Sequence, residues 1–141
     1  ASVYGPRQAL NVGVVNAFIQ KIRNGETVTV FGDGSNTRPF TYVSDIVEAN
    51  ILAANTTDTS LFGQIFNVSM GKSVSVNEMV EAISSKMKKK PKVVHENERV
   101  GEIKHMVADI AKIRRALKFE PNVSVKEGIA RAVEFHEKSA M

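Results

Sequence analysis

Val28-Thr29-Val30-Phe31-Gly32-Asp33-Gly34-Ser35-Asn36-Thr37-Arg38-Pro39-Phe40-Thr41-Tyr42-Val43-Ser44-Asp45 is the stretch that decides how the rest of the chain is read. A β-branched run feeds an Asp-Gly turn, and a lone arginine stands just before a second apolar run, Phe40-Thr41-Tyr42-Val43. β-Branched and aromatic side chains suit the pleated surface of a strand, and Asp-Gly suits a tight turn. After Ser44 the spacing becomes helical, through Ile46, Val47, Asn50, Ile51 and Ala54. Arg38 is therefore expected between two rigid elements, with a flexible polar loop beside it. That placement aims a guanidinium, whose planar fork matches the oxygens of an anion such as a diphosphate.

Upstream, residues 1–11 read as the end of a strand and a Gly5-Pro6 turn. From Val12 to Arg23 the apolar positions Val14, Val15, Phe18, Ile19 and Ile22 are helically spaced, and Asn24-Gly25 is a C-terminal stop. Downstream, Ser44 is the expected N-cap of a helix over 45–54, although Glu48 lies beyond the capping-box position. Ile65-Phe66-Asn67-Val68 reads as a short buried strand, and Met70-Gly71-Lys72 as a turn. Ser75 with Glu78 forms a capping box for a helix over 76–88 that Pro91 stops. Val93-Val94-His95 is a short strand, and 96–108 includes an extended run. Asp109 is placed to cap a helix through Ile110, Ile113 and Leu117. Ser124 with Glu127 caps a last helix, with Val125, Ile129, Val133 and Phe135 or His136 inward. The order α, β, β, α, β, α, β, α, α implies a mixed α/β (α+β) domain.

The 141 residues suffice for one domain with its own core, and 43% hydrophobic with 24% charged residues is ordinary for a globular chain. The net charge of +4 is partly local, because Lys86, Lys88, Lys89, Lys90 and Lys92 crowd one segment. That segment decorates a helix end, where cations suit the helix dipole. Without an arginine-rich or aromatic-interleaved motif it gives little support to nucleic-acid binding. The chain has no cysteine, which excludes disulfides and cysteine metal sites. No apolar run approaches the roughly 18–20 residues that span a membrane, and a cytoplasmic location is expected. The opening Ala1-Ser2-Val3-Tyr4 starts in mid-strand without Met, as a fragment would.

No complete catalytic constellation is present. His95, His105 and His136 lack metal-ligand spacing and read as surface or half-buried residues. Gly32-Asp33-Gly34 is not followed by the glycine and helix start of a dinucleotide-binding loop, and by itself it reads as a turn. Arg38 and Arg99 each lie in a glycine-containing loop beside a strand-like run. Such residues ordinarily pair with a surface carboxylate. Two of them converging would suit a diphosphate.

The segment Val30–Ala49 resembles the "GDG…R-[DP]-F-x-[YH]-V-x-D" signature of the NAD-dependent sugar-nucleotide epimerases and dehydratases, the extended short-chain dehydrogenase/reductase family, with UDP-glucose 4-epimerases nearest. Ser2-Val3-Tyr4-Gly5-Pro6-Arg7-Gln8 resembles its "N-V-Y-G-P-R-Q", Arg99-Val100-Gly101-Glu102 its "R-P-G-[DE]", and Ala108–Pro121 its "A-D-x-S-K-A…L-G-[YF]-x-P", all in the family's order. The resemblance implies diphosphate binding by Arg38 and Arg99. It implies a nucleoside pocket at Val14, Thr29 and Phe31, and a ribose-side acid at Glu102. The family asparagine before "V-Y-G-P" is Ser2 here, which removes that amide. The family's "G-x-x-G-x-x-G" loop and its catalytic "Y-x-x-x-K" are absent: Tyr4 is followed four residues on by Gln8, and Tyr42 by Ile46. The implied molecule is residues 1–141 as a single C-terminal substrate-binding domain, lacking most of the Rossmann domain. It would hold a UDP-sugar, while NAD and the catalytic residues belong to the missing N-terminal NAD-binding domain. Epimerase, dehydratase and decarboxylase members share these motifs, and a non-catalytic binding or assembly module is the other reading. With no Rossmann sheet against Asp45–Ala54 and Ile65–Val68, exposed apolar faces and self-association are expected.

Overall fold

The computed structural model describes residues 2–9 and 12–138. In order these form β1 (Ser2–Tyr4), α1 (Val14–Asn24), β2 (Val28–Phe31), β3 (Thr37–Arg38), β4 (Phe40–Tyr42) and α2 (Val43–Asn55). A 3₁₀ turn (Thr59–Leu61) precedes β5 (Val74–Ser75), α3 (Val76–Met87), β6 (Val93–Glu96), α4 (Ala111–Leu117) and α5 (Val125–Lys138). The expected mixed α/β class is what forms. Positions 1, 10 and 11 of the expected opening strand and turn lie outside the described residues.

The strands pair in twos. β1 runs parallel to β4, with Ser2 opposite Phe40 and Tyr4 opposite Tyr42. β2 runs parallel to β6, with Val28 opposite Val93 and Phe31 opposite Glu96. β3 pairs antiparallel with β5, Arg38 opposite Val74. Side chains alternate across a strand, so Val28 and Val30 are buried in the core while Thr29 and Phe31 face the other way, half-buried.

The larger core joins α1, α3 and α5 over β2 and the β1–β4 pair. In α1, Val15, Phe18, Ile19 and Ile22 recur at helical spacing and are all buried. The helix ends at Gly25, whose left-handed φ of 72° lets its amide close back on the last turn. In α3, Ser75 and Glu78 form the reciprocal capping box, and Met79, Val80, Ile83 and Met87 pack inward. Lys88 then turns left-handed, three residues before Pro91. A second cluster joins α2 and α4 through Ala49, Ile110, Ile113, Leu117 and the fully buried Phe119. Asp45 connects the two: its carboxylate, 2% exposed, accepts from the amides of Asn122 and Val123 at 3.2 and 3.3 Å.

Several expectations are corrected. Ile65–Val68 forms no strand, and Ile65 is 84% exposed, because no described strand runs beside it. Ser44 is not the N-cap: Tyr42 is extended, so the chain passes straight from β4 into a helix that starts at Val43. Residues 97–108 are irregular apart from one bridge between Thr37 and His105. Asp109 does accept from the amide of Ala111 at 2.8 Å. At α5, Ser124 Oγ accepts from Glu127 N, but the Glu127 carboxylate pairs with Arg131 instead of returning to the cap.

His136 takes the inward place on α5 and is buried, deeper than a surface or half-buried histidine. It meets Asn16 Oδ1 at 3.2 Å, and burial with Arg23 nearby holds its pKa below the usual histidine value. The loop before Arg38 is tied down, not loose. Asp33 accepts from the amide and hydroxyl of Ser35, which hold its carboxyl below the usual range. Asn77, at the start of α3, donates to Asp33 O at 2.9 Å. Gly34, at φ 76°, lies so close to the Asn77 side chain that a Cβ there would overlap it.

Candidate functional site

A cleft of about 690 Å³ opens between α1, β2 and the 96–102 segment. One face of α1 forms a wall: Val14, Ala17, Phe18 and Lys21 are spaced i, i+3, i+4, i+7. The outward face of β2, Thr29 and Phe31, forms the floor. Register places Glu96 beside Phe31, and Arg38 enters from β3. All six residues singled out in the sequence, Val14, Thr29, Phe31, Arg38, Arg99 and Glu102, line this one cavity.

Two guanidinium groups, those of Arg38 and Arg99, line the cleft. Arg38 donates from Nη1 to Thr37 O at 2.9 Å and to Lys104 O at 3.4 Å, and from Nη2 to Glu102 Oε1 at 3.0 Å. This ion pair is mostly shielded, with side-chain exposures of 19% and 30%. The Arg99 guanidinium lies 3.8 Å from the centre of the Phe31 ring. Over an aromatic face a cation gains from the ring quadrupole. The backbone brings Arg99 and Glu102 here: Thr37 N donates to Lys104 O, and Met106 N donates to Thr37 O. The expected carboxylate partner of a surface arginine is thus found for Arg38, and it is Glu102, the residue that the resemblance set at the ribose.

Sequence reasoning missed Asn36, Lys21 and Glu96. Asn36 is buried and its carbonyl receives the amide of Val76 at the head of α3. Lys21 was legible: it sits seven residues after Val14 on the same helical face. Glu96 was not, because only the pairing of β6 with β2 brings it beside Phe31.

Among the described residues of the cleft no acid–base pair is seen. Tyr4 is buried away from it, donates to Val125 O at 3.2 Å, and burial beside Tyr42 and Asp45 pushes its pKa up, the wrong direction for a base. Among the described residues no group of three His, Cys, Asp or Glu could hold a metal ion. The Gly32-Asp33-Gly34 turn runs into β3, not into a helix, so it offers the pyrophosphate of NAD no helix N-terminus and does not fit that cofactor. Among the described residues no helix is long and apolar enough to cross a membrane.

Comparison with known proteins agrees with this geometry. The model of the NAD dependent epimerase/dehydratase family matches residues 1–69. The UDP-glucose 4-epimerase of Mycolicibacterium smegmatis is 36% identical over 96% of this chain and 43% of its own length. The chain belongs to the NAD-dependent epimerase/dehydratase family. A family relative in Bacillus cytotoxicus, UDP-N-acetyl-alpha-D-glucosaminuronate decarboxylase, is 34% identical over 95% of this chain and 43% of its own. The crystal structure of the Thermotoga maritima UDP-glucose 4-epimerase with UDP-glucose superposes on the whole chain with a TM-score of 0.91 at 34% identity, using 45% of that structure. This family member therefore spans under half the length of the relatives it matches. NAD is the cofactor that gives the family its name.

Proposed function

We propose that the chain holds the UDP-sugar of an NAD-dependent 4-epimerase, for an interconversion such as that of UDP-glucose and UDP-galactose. The observation that carries the reading is the convergence of Arg38 and Arg99 on one cleft whose floor is Phe31 and Thr29. Two forked cations can take several diphosphate oxygens at once, and the half-buried wall shields those bonds from water. Val14 and Phe31 supply apolar surface for a nucleoside, and Glu102 can accept from ribose hydroxyls.

In this reading residues 1–141 are one substrate-binding domain of a cytoplasmic enzyme. NAD and the tyrosine that moves the proton belong to an N-terminal NAD-binding domain. The apolar side chains of α2 that stand in solvent, Val47 and Ile51, are where that domain docks or, without it, where two copies of the chain meet. A decarboxylase or dehydratase reaction is the second reading. It is favoured by the 34% identity to the decarboxylase, close to that of the epimerases.

Titration calorimetry with UDP-glucose tests the proposal. Saturable binding that weakens at least about 10-fold in both Arg38→Ala and Arg99→Ala is the expected result, since loss of one charge-assisted forked contact is worth about 1.5–3 kcal/mol. No binding, or binding indifferent to both changes, would overturn it.

A further inference from the structure

We propose that β6 is a self-complementary edge. Two copies of the chain pair their β6 strands antiparallel across a two-fold axis, with Val93 opposite the partner's His95 and Lys92 opposite the partner's Glu96. The pairing does not depend on what fills the cleft.

The strand has one neighbour. It runs beside β2, and among the described residues no strand lies on its other side. Its backbone groups divide between the two edges. Val28 N donates to Lys92 O at 2.9 Å and Gly32 N to Glu96 O at 2.8 Å, so positions 92, 94 and 96 turn their amides and carbonyls towards β2. Val93 and His95 turn theirs outward, and no described residue takes them up. Val93 is 37% exposed and His95 is exposed as well, so the edge is open to another strand. The His95 ring is tied to its own chain, with Nδ1 donating to Gly32 O at 2.8 Å, and this leaves the backbone to pair.

Open edges are commonly guarded by lysine, and Lys90 and Lys92 alone would read as such a guard. A guard of one sign repels a second copy. Here Glu96 follows Lys92 on the same face of the strand, and neither side chain has a hydrogen-bond or ion-pair partner among the described residues. Reversing the strand direction exchanges the two signs, so an antiparallel copy meets unlike charge.

The backbone narrows the register, because only outward residues form hydrogen-bonded pairs. Val93 opposite its own copy would set Pro91 against His95 in such a pair, where proline has no N–H to give. His95 opposite its own copy would set Lys92 against Glu98, which is already engaged with Lys104 at 3.1 Å. Val93 opposite His95 avoids both conflicts, and Pro91 then falls opposite Asn97, beyond the end of β6. Val94 meets the partner's Val94. Lys92 meets the partner's Glu96 at non-hydrogen-bonded positions, where Cα atoms are about 4.5 Å apart and side chains approach most closely. Each contact occurs twice, and the assembly closes as a dimer whose sheet runs β2–β6–β6–β2. Glu96 shares the cleft face with Phe31, so the partner's Lys92 arrives beside a cleft-lining carboxylate.

Sedimentation equilibrium of the wild-type chain between about 10 µM and about 1 mM should show a monomer–dimer equilibrium. Lys92→Glu opposes carboxylates at both symmetry-related positions, and Glu96→Lys opposes ammonium groups. Each variant alone should weaken association about 10-fold or more. An equimolar mixture of the two variants restores unlike pairs at both positions, and it should associate within about threefold of wild type. Deuterium exchange gives a reading without substitution: the amides of Val93 and His95 should gain protection as the wild-type concentration rises. A monomer at every concentration would overturn the proposal, as would a mixture as weak as its parts or amides at 93 and 95 whose exchange ignores concentration. Association indifferent to both charge reversals belongs to another surface, such as the apolar face of α2, and overturns it too.

Discussion

The half of the molecule built on α1, α3 and α5 and the half built on α2 and α4 differ in how fully they cover their apolar side chains, although the second also buries Ile113 and Phe119. In the first, Ile19, Ile22, Met79, Ile83, Ile129 and Val133 are at most 2% exposed. In the second, Val47 is 52%, Ile51 47%, Phe62 64% and Ile65 84% exposed. In the second half isoleucine and phenylalanine occur both in its small core and in solvent. The difference teaches that the first half is complete as a packing unit and carries the cleft on its outer wall. The second is packed on one face only, with a free apolar surface turned outward.

The comparison breaks most plainly under matched truncations. Ile19→Ala removes a buried side chain from a close-packed site and should cost about 2–5 kcal/mol in urea unfolding. Ile51→Ala, half in solvent, should cost under about 0.5 kcal/mol and should reduce association in analytical ultracentrifugation. Equal losses for the two would mean that α2 is packed as fully as α1 in solution. A smaller effect sharpens the boundary. Asp45 sits on α2 and receives the amides that lead into α5, so Asp45→Ala leaves the buried amide of Val123 and the part-buried amide of Asn122 without this partner and should cost about 2 kcal/mol. If this joint is what couples the halves, the variant should melt in two steps in calorimetry, where wild type melts in one.

How much of this was legible follows from where each constraint acts. The helix faces and the Ser75–Glu78 box were readable because their partners lie three or four residues apart. The six cleft residues were readable through the family signature, and Lys21 through its spacing from Val14. Ile65–Val68 was misread because an apolar run describes what a segment prefers, not whether a strand stands beside it. Ser44 was misread because a cap is chosen by backbone geometry, and the extended Tyr42 placed the start two residues earlier. His136 was placed on the inward face of the last helix as one of two alternatives, but its partner Asn16 could not be read because it is 120 positions away.

The smallest predicted effect separates the halves by pH. His136 belongs to the first half, and its folded pKa lies below that of the free side chain. Below about pH 6.5 the unfolded chain therefore takes up the proton more readily than the folded one. Its contribution is intact above that pH and is lost progressively as the pH falls below it. Unfolding free energy measured at pH 7.5, 6.5 and 5.5 should fall across the series in wild type. In His136→Asn the same range should be flatter, although the substitution lowers stability at every pH. An equal slope in both would remove His136 as the cause.

Gly34 gives the arginine end of the cleft a mechanical character. The loop that leads to Arg38 is pressed against Asn77 where a side chain has no room, and Asn77 also grips the carbonyl of Asp33. The lip of the cleft is thus keyed to the head of α3 like a tenon in a mortise. A methyl group added at position 34 would act as a wedge, tilting Arg38 without touching it. The tolerance of that lip to inherited change is therefore set by the helix behind it rather than by any molecule in front.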